Sequence, residues 1–359
     1  MKKKFTSTTW KRYQKRKNLK TFLRRSRIKR REHKSNFERE KRHLEERKKV
    51  ESYSLHLASK RRSKILRAKN PNKYKNHSAP NEFSLVSNPE ILIEYFNEAE
   101  RILNEKRQII FDISKIHTLT PDGITLLIAK INHESFHKGI KILGNSPDDL
   151  ELKDLFIQSG FYTYVDEKSP RPNNNTNLLL HKETNNKVEP TIAKDACLLG
   201  IKHTFNNEEI YEPLYNILIE AMQNTNNHAS ILKKGYYDWW LYVYNDPKSK
   251  ITSYSFLDLG VGIFESLPVR NWKESVKKFL QLNSNLDLVD KLFSGDISSR
   301  TGKAERGKGM PQIYQCAQDK NIKEFIIISN DVYANLKTNQ HRKLNTKFAG
   351  TMLYWEIIP

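Results

Sequence analysis

Cysteine is almost missing: Cys197 and Cys316 are the only two in 359 residues. That excludes a disulfide framework and a cysteine-built zinc site. No apolar run approaches the roughly 18 residues that a membrane-spanning helix needs. The N-terminus lacks the apolar stretch of a secretion signal. These absences together predict a soluble protein of a reducing, cytoplasmic compartment. Acidic residues are missing altogether from the first 31 positions.

What fills that acid-free stretch is positive charge. Residues 1–75 hold 30 Lys and Arg against 6 Glu, and removing them from the totals of 63 and 41 leaves 33 basic and 35 acidic residues in 76–359. The basic character therefore belongs to an extension on an otherwise near-neutral protein. Apolar residues such as Leu19, Phe22, Leu23, Phe37 and Leu44 are too sparse there to line a core. The composition predicts a basic helical or disordered extension over 1–78 that orders when it meets a partner. Lys11, Arg12, Lys15, Arg16, Lys17, Arg24, Arg25, Arg27, Lys29, Arg30 and Arg31 are its candidate phosphate contacts, with Trp10, Tyr13 and Phe22 interleaved as stacking surfaces. Nucleic acid, DNA or RNA, is the expected partner of 1–75. An anionic membrane surface, an organellar transit peptide and a solubilising tail are the alternatives. No helix-turn-helix or zinc-finger pattern is visible, so no sequence preference follows.

Residues 79–166 alternate strand and helix signals: a strand at 82–86, a helix over 91–103, a buried strand at 108–113, a helix over 123–131, a strand at 139–144 and a helix near 149–158. Such alternation implies an α/β layer structure. An Asn-, Pro- and charge-rich linker is expected over 167–190. The last region, 191–359, opens on a helix over 208–229. Strands follow at 239–244 and 251–259, then a polar loop with a helix at 272–280, then strands at 325–329 and 348–358.

Chemistry concentrates in that last region. Glu220, Asn224 and His228 are spaced four apart, so they lie on nearly one helix face. The opposite face, Ile210, Leu214, Leu218, Ala221 and Met222, is expected to pack on a sheet. A carboxamide oxygen such as that of Asn224 can hold Mg²⁺, and a carboxylate such as that of Glu220 can orient or deprotonate an attacking group. A polar helix face in solvent is the plain alternative. Asp258 ends a strand that runs into Gly260-Val261-Gly262, where glycines let the backbone approach a base and sugar. Glu305-Arg306-Gly307-Lys308-Gly309-Met310 leads into a helix, and glycine-flanked amides at a helix start form an anion cradle. Gly350-Thr351 sits in the last strand.

In this order the four elements resemble the N box, G1 box, G2 box and terminal Gly-Thr of the GHKL ATPases. That family includes sensor histidine kinases, anti-sigma-factor kinases, the Hsp90 chaperones, MutL and gyrase B. The resemblance implies an α/β sandwich over 191–359 that binds ATP and Mg²⁺ under a lid at roughly 264–306. Glu220 is then the catalytic residue, Asn224 the metal ligand and Asp258 the adenine reader. Gly260, Gly262, Arg306, Gly307, Lys308 and Gly309 shape the phosphate and sugar pocket, Thr351 supports the adenine, and His228 reaches phosphate or favours the helix end. The middle region, with Ile109 to Ile116, Thr120-Pro121-Asp122-Gly123 and Ser159-Gly160-Phe161, resembles a STAS domain. Regulatory STAS domains carry a phosphorylatable serine where this chain has Thr120 and Asp122. Asp122 is expected either as a fixed negative charge or as a helix cap, and Thr120 as a phosphoacceptor.

His133-Glu134 is the only His-Glu pair and lies in the α/β region, so a sensor-kinase phosphoacceptor is not expected. Nor is the transducer of gyrase and MutL, since the last expected strand is followed directly by Pro359. The expected architecture is thus a STAS-like domain followed by a GHKL sandwich. The expected function is an ATP–Mg²⁺-binding regulator, with or without hydrolysis, whose arm engages nucleic acid and whose middle domain contacts a protein partner. The alternatives are a serine/threonine protein kinase acting on a separate STAS protein and a non-hydrolysing nucleotide sensor.

Overall fold

Five residues that read as part of the basic extension, Tyr74–Ser78, form the first strand (β1) of the computed structural model. The model describes residues 74–165, 177–183, 188–228, 238–266, 284–295 and 309–359. The candidate nucleic-acid contacts between Lys11 and Arg31 lie outside the described residues. The strand character of β1 was hidden because its pairing partner, not its own apolarity, holds it. Only His77 is buried in it, stacked on Tyr95 with centroids 4.1 Å apart and with Nε2 2.8 Å from the Tyr95 carbonyl oxygen.

The elements that follow are β2 (Glu82–Phe83) and α1 (Pro89–Asn104), then β3 (Gln108–Asp112) and β4 (Thr118–Leu119). Next come α2 (Pro121–Asn132), α3 (Glu134–His137), β5 (Leu143–Gly144), α4 (Leu150–Gln158) and α5 (Tyr162–Val165). Helix α1 starts with proline at its first position, where the missing N–H costs nothing, and carries Glu90 in its first turn and Arg101 in its last, matching the helix dipole. Its stripe of Leu92, Ile93, Tyr95, Phe96, Ala99, Ile102 and Leu103 is buried. Strand β3 pairs in parallel with β1 and β5, and β2 with β4. The strand expected at 139–144 is only two residues long, because Lys138 and Gly139 take left-handed backbone conformations, φ +47° and +71°.

The remaining elements are β6 (Leu178–Glu183), α6 (Pro190–Phe205), α7 (Glu212–His228), β7 (Asp238–Asn245), β8 (Thr252–Asp258) and α8 (Ile263–Ser266). After a 3₁₀ turn at Leu286–Leu288 come α9 (Val289–Ser294), α10 (Gly309–Ala317), β9 (Ile322–Asn335) and β10 (Gln340–Ile357). Five strands make one antiparallel sheet in the order β6-β7-β8-β10-β9. Strand β6 falls within the expected linker; Leu178, Leu179 and Leu180 pair with β7 and turn that part of the segment into a sheet edge. The helix expected at 272–280 lies outside the described residues.

Both faces of the large sheet are covered, which is why β7 reads as a nearly unbroken apolar run and β8 is buried at every position despite its serines. One face, with Trp239, Leu241, Tyr254, Phe256, Phe325 and Trp355, packs against α6, α7 and α10. The other, with Trp240, Tyr242, Leu257, Ile326, Met352 and Tyr354, shares a second core with Phe83, Phe96, Phe111 and Leu127 of the N-terminal layers. Helix α2 lies against β7 and β8 on that side and is buried from Pro121 through Ala129, as a helix enclosed on all sides must be. Residues 74–359 are thus one compact α/β unit. Leu241, Phe256 and Phe325 are fully buried, and each such apolar side chain removed from water contributes about 1.5–3 kcal/mol. Cys197 and Cys316 are free thiols. Among the described residues no helix is long and apolar enough to cross a membrane.

Candidate functional site

Helix α7 carries the first half of the site. Leu214, Ile217, Leu218, Ala221 and Met222 are buried and seat the helix on the sheet. Ile210, expected on the same face, is exposed and precedes the helix. The reason is Pro213, which fits the first turn of a helix but not its interior, so α7 starts at Glu212 rather than at 208. On the outward face Glu220 and Asn224 are half-buried. Partial burial pushes the Glu220 carboxyl above its ordinary value.

The start of α10 closes on this pair. A Cβ added at Gly309 would stand 2.7 Å from Glu220 Oε2 and 3.1 Å from Asn224 Oδ1, so only glycine fits this approach without displacing them. Asn224 Nδ2 donates to the Met310 sulfur at 3.4 Å. The first residue of α10 thus lies against a carboxylate and a carboxamide. Among the described residues no three His, Cys, Asp or Glu side chains could together hold a metal.

The second half gathers round Asp258, the last residue of β8 and almost fully buried. Its Oδ1 accepts from the Gly260 amide at 2.9 Å and its Oδ2 from the Thr225 hydroxyl at 3.3 Å. Thr351 stands directly opposite on β10 and its side chain bonds the same carboxylate. Burial outweighs these three bonds and pushes the Asp258 carboxyl up to about 6. A carboxylate offers about four lone-pair sites, so acceptor capacity remains for an incoming N–H donor. Thr225 has one proton for two acceptors, Asp258 and the Ala221 carbonyl at 3.2 Å.

The two clusters meet because Asn224 and Thr225 are neighbours on α7. Glu220, Asn224 and Gly309 form one; Asp258, Gly260, Thr225 and Thr351 form the other. Gly262 stands two residues past Gly260 with φ +83°. Arg306, Gly307 and Lys308 lie outside the described residues, as does the His228 side chain; the His228 backbone ends α7. Thr225 was not expected from sequence; its only signal was a polar residue on the sheet-facing side of a helix whose other sheet-facing residues are apolar.

No protein-family model matches this chain, and no curated protein does. Beside the site an open cleft of about 740 Å³ runs between the first half of α7 and α10, lined by Glu212, Asn216, Gln312, Gln315, Cys316 and Asp319. It holds none of Glu220, Asn224 or Asp258.

Asp122 of the middle region is buried rather than displayed as a surface charge, while Thr120 is half-buried. The Asp122 carboxylate points inward, accepting from the Leu85 amide at 2.5 Å, the Val86 amide at 3.0 Å and the Ser84 hydroxyl at 3.1 Å. Thr120, not Asp122, holds the helix N-cap position, and its hydroxyl bonds the Phe83 carbonyl at 3.3 Å. Asp122 ties the 84–86 loop to α2 instead of presenting a charge to a partner.

Proposed function

We propose that residues 191–359 bind ATP with Mg²⁺ as a GHKL-type domain. The observation that carries this reading is the convergence, from four separate elements, of Glu220 and Asn224 with the start of α10 and of Asp258 with Thr225, Gly260 and Thr351. In this reading Asp258 accepts from the adenine amino group through its remaining lone pair, while Thr351 and Thr225 hold its carboxylate in place. Gly260 leaves room for the base, and the α10 amides receive phosphate. Asn224 holds the metal through its amide oxygen, and the ion neutralises phosphate charge when bound. Glu220, with its proton affinity raised by burial, orients or deprotonates the attacking water; a base is most effective when its pKa lies near the working pH.

Glu220→Ala tests this assignment, with ATP–Mg²⁺ binding and phosphate release measured on the same protein. Retained binding with lost release is the expected outcome; lost binding would remove Glu220 from the catalytic role. A second reading is a serine/threonine protein kinase acting on a separate STAS protein. Radiolabelled ATP separates the two: free phosphate supports the ATPase, label on protein the kinase.

The basic extension engages nucleic acid in this proposal, supported by its 30 Lys and Arg against 6 Glu and its interleaved aromatics. The STAS resemblance of the middle region makes it the regulated element. The core it shares with the sheet gives it a route to the nucleotide site.

A further inference from the structure

A non-glycine residue in left-handed conformation inside a strand needs a reason. Asn330, in β9, has φ +53° and is almost fully buried. Such a conformation is strained for residues with a Cβ, and it persists only where the surroundings demand it. Here they do. The Asn330 Oδ1 accepts from the Phe264 amide at 3.0 Å and the Glu265 amide at 3.3 Å, and its Nδ2 donates to the Val261 carbonyl at 2.9 Å. One carboxamide thus caps the free amides of α8 from another element. Its neighbour Ser329, fully buried, accepts from the Ile263 amide at 2.8 Å and donates to the Gly350 carbonyl at 2.9 Å.

The backbone around the pair is shaped to match. Ser329 is registered with Thr351 but Asn330 with Phe348, so β10 carries a bulge between them; such bulges commonly re-aim side chains next to functional sites. On the other side a Cβ at Gly262 would fall 2.6 Å from the Asn330 amide, so glycine at 262 is required both by its φ of +83° and by this contact.

We propose that Ser329–Asn330 is a positioning clamp that holds the turn after Asp258 against β10 in the geometry the nucleotide base and sugar require. This rests on the ATP-site reading given above. Neither residue is assigned contact with nucleotide; both act through the 260–265 backbone and through Gly350-Thr351.

The full-length chain tests it by calorimetry with ATP–Mg²⁺, alongside hydrogen exchange at Phe264 and Glu265. Asn330→Gly keeps the left-handed backbone at no strain and removes only the carboxamide. Its melting temperature should fall by several degrees, because the Phe264 and Glu265 amides and the Val261 carbonyl lose their partner, while affinity falls about tenfold (1.4 kcal/mol) and the two amides lose protection. Asn330→Asp keeps the acceptor oxygens and loses the bond to Val261, so it should regain part of the affinity and of the protection. Ser329→Ala supplies an independent loss of the Ile263 and Gly350 bonds and should also weaken binding. Wild-type affinity in both Asn330→Gly and Ser329→Ala overturns the clamp while leaving the ATP site standing. No binding by wild type fails the ATP-site reading, and the clamp falls with it.

Discussion

Gly309→Ala separates stability from function more sharply than any other single change at this site. The added methyl would stand 2.7 Å from Glu220 Oε2, whereas ordinary contact begins at 3.4 Å, so the carboxylate must retreat by about 0.7 Å. Glu220 Oε2 is the far end of a flexible side chain, so the movement is cheap for the fold. Alanine also favours helix over glycine by up to about 1 kcal/mol. At the first residue of α10 we expect roughly half of that, a rise of about 1–2 °C in melting temperature. The cost falls on chemistry. A catalytic group misplaced by about 1 Å loses on the order of 10²-fold in rate, so ATP hydrolysis should drop about 10–100-fold. Binding of ATP–Mg²⁺ should weaken as well, because the methyl narrows the approach to the α10 amides. Calorimetric melting and phosphate release on the same preparation check both halves. Unchanged hydrolysis and affinity would mean that the contact of α10 with Glu220 and Asn224 has no part in function.

The buried Asp258 gives a pH dependence with a definite sign. Its folded pKa of about 6 exceeds its ordinary value of 3.8, so its contribution to stability is fully present below about pH 4 and is lost as pH rises through 6. The loss amounts to about 3 kcal/mol by pH 7.5. Asp258→Asn should therefore gain stability relative to wild type between pH 4.5 and 7.5 in urea unfolding; parallel curves would contradict it. Asp122→Ala should cost about 2–4 kcal/mol of unfolding free energy, since it strands the Leu85 and Val86 amides inside the protein. An effect within 0.5 kcal/mol would show that those bonds contribute little. Binding of single-stranded or duplex oligonucleotide by the full chain should weaken about 10³-fold or more between 50 and 200 mM salt if the extension neutralises six phosphates or more. A salt-independent affinity would rule out phosphate contacts as its basis.

The elements legible in the sequence were those whose own residues declare their burial. Strands β7, β8, β9 and β10 are apolar and aromatic, and the heptad-like run from Leu214 to Met222 marks the inner face of α7. Helix α6 was missed because its inward positions are small, Ala193, Ala196 and Gly200, and give no amphipathic contrast. Strands β1 and β6 were missed because pairing, rather than apolar alternation, defines them. Strands β9 and β10 run longer than expected, since past the bulge they stay paired as far as Gln340 and Asn335, with Val332, Ala334 and Leu344 still buried. At the site, spacing along one helix pointed to Glu220 and Asn224, and a strand end followed by glycines pointed to Asp258. Thr225, Ser329 and Asn330 escaped notice because their roles are hydrogen bonds to elements distant in sequence, which no local pattern encodes.

Asp258, if it reads a nucleotide base, is the residue on which binding depends. Calorimetric titration of ATP–Mg²⁺ into wild-type protein and Asp258→Asn tests it most directly. Wild type should bind, and Asp258→Asn, with an amide where the acceptor carboxylate stood, should not. Equal binding by the two proteins, or none by wild type, would contradict it.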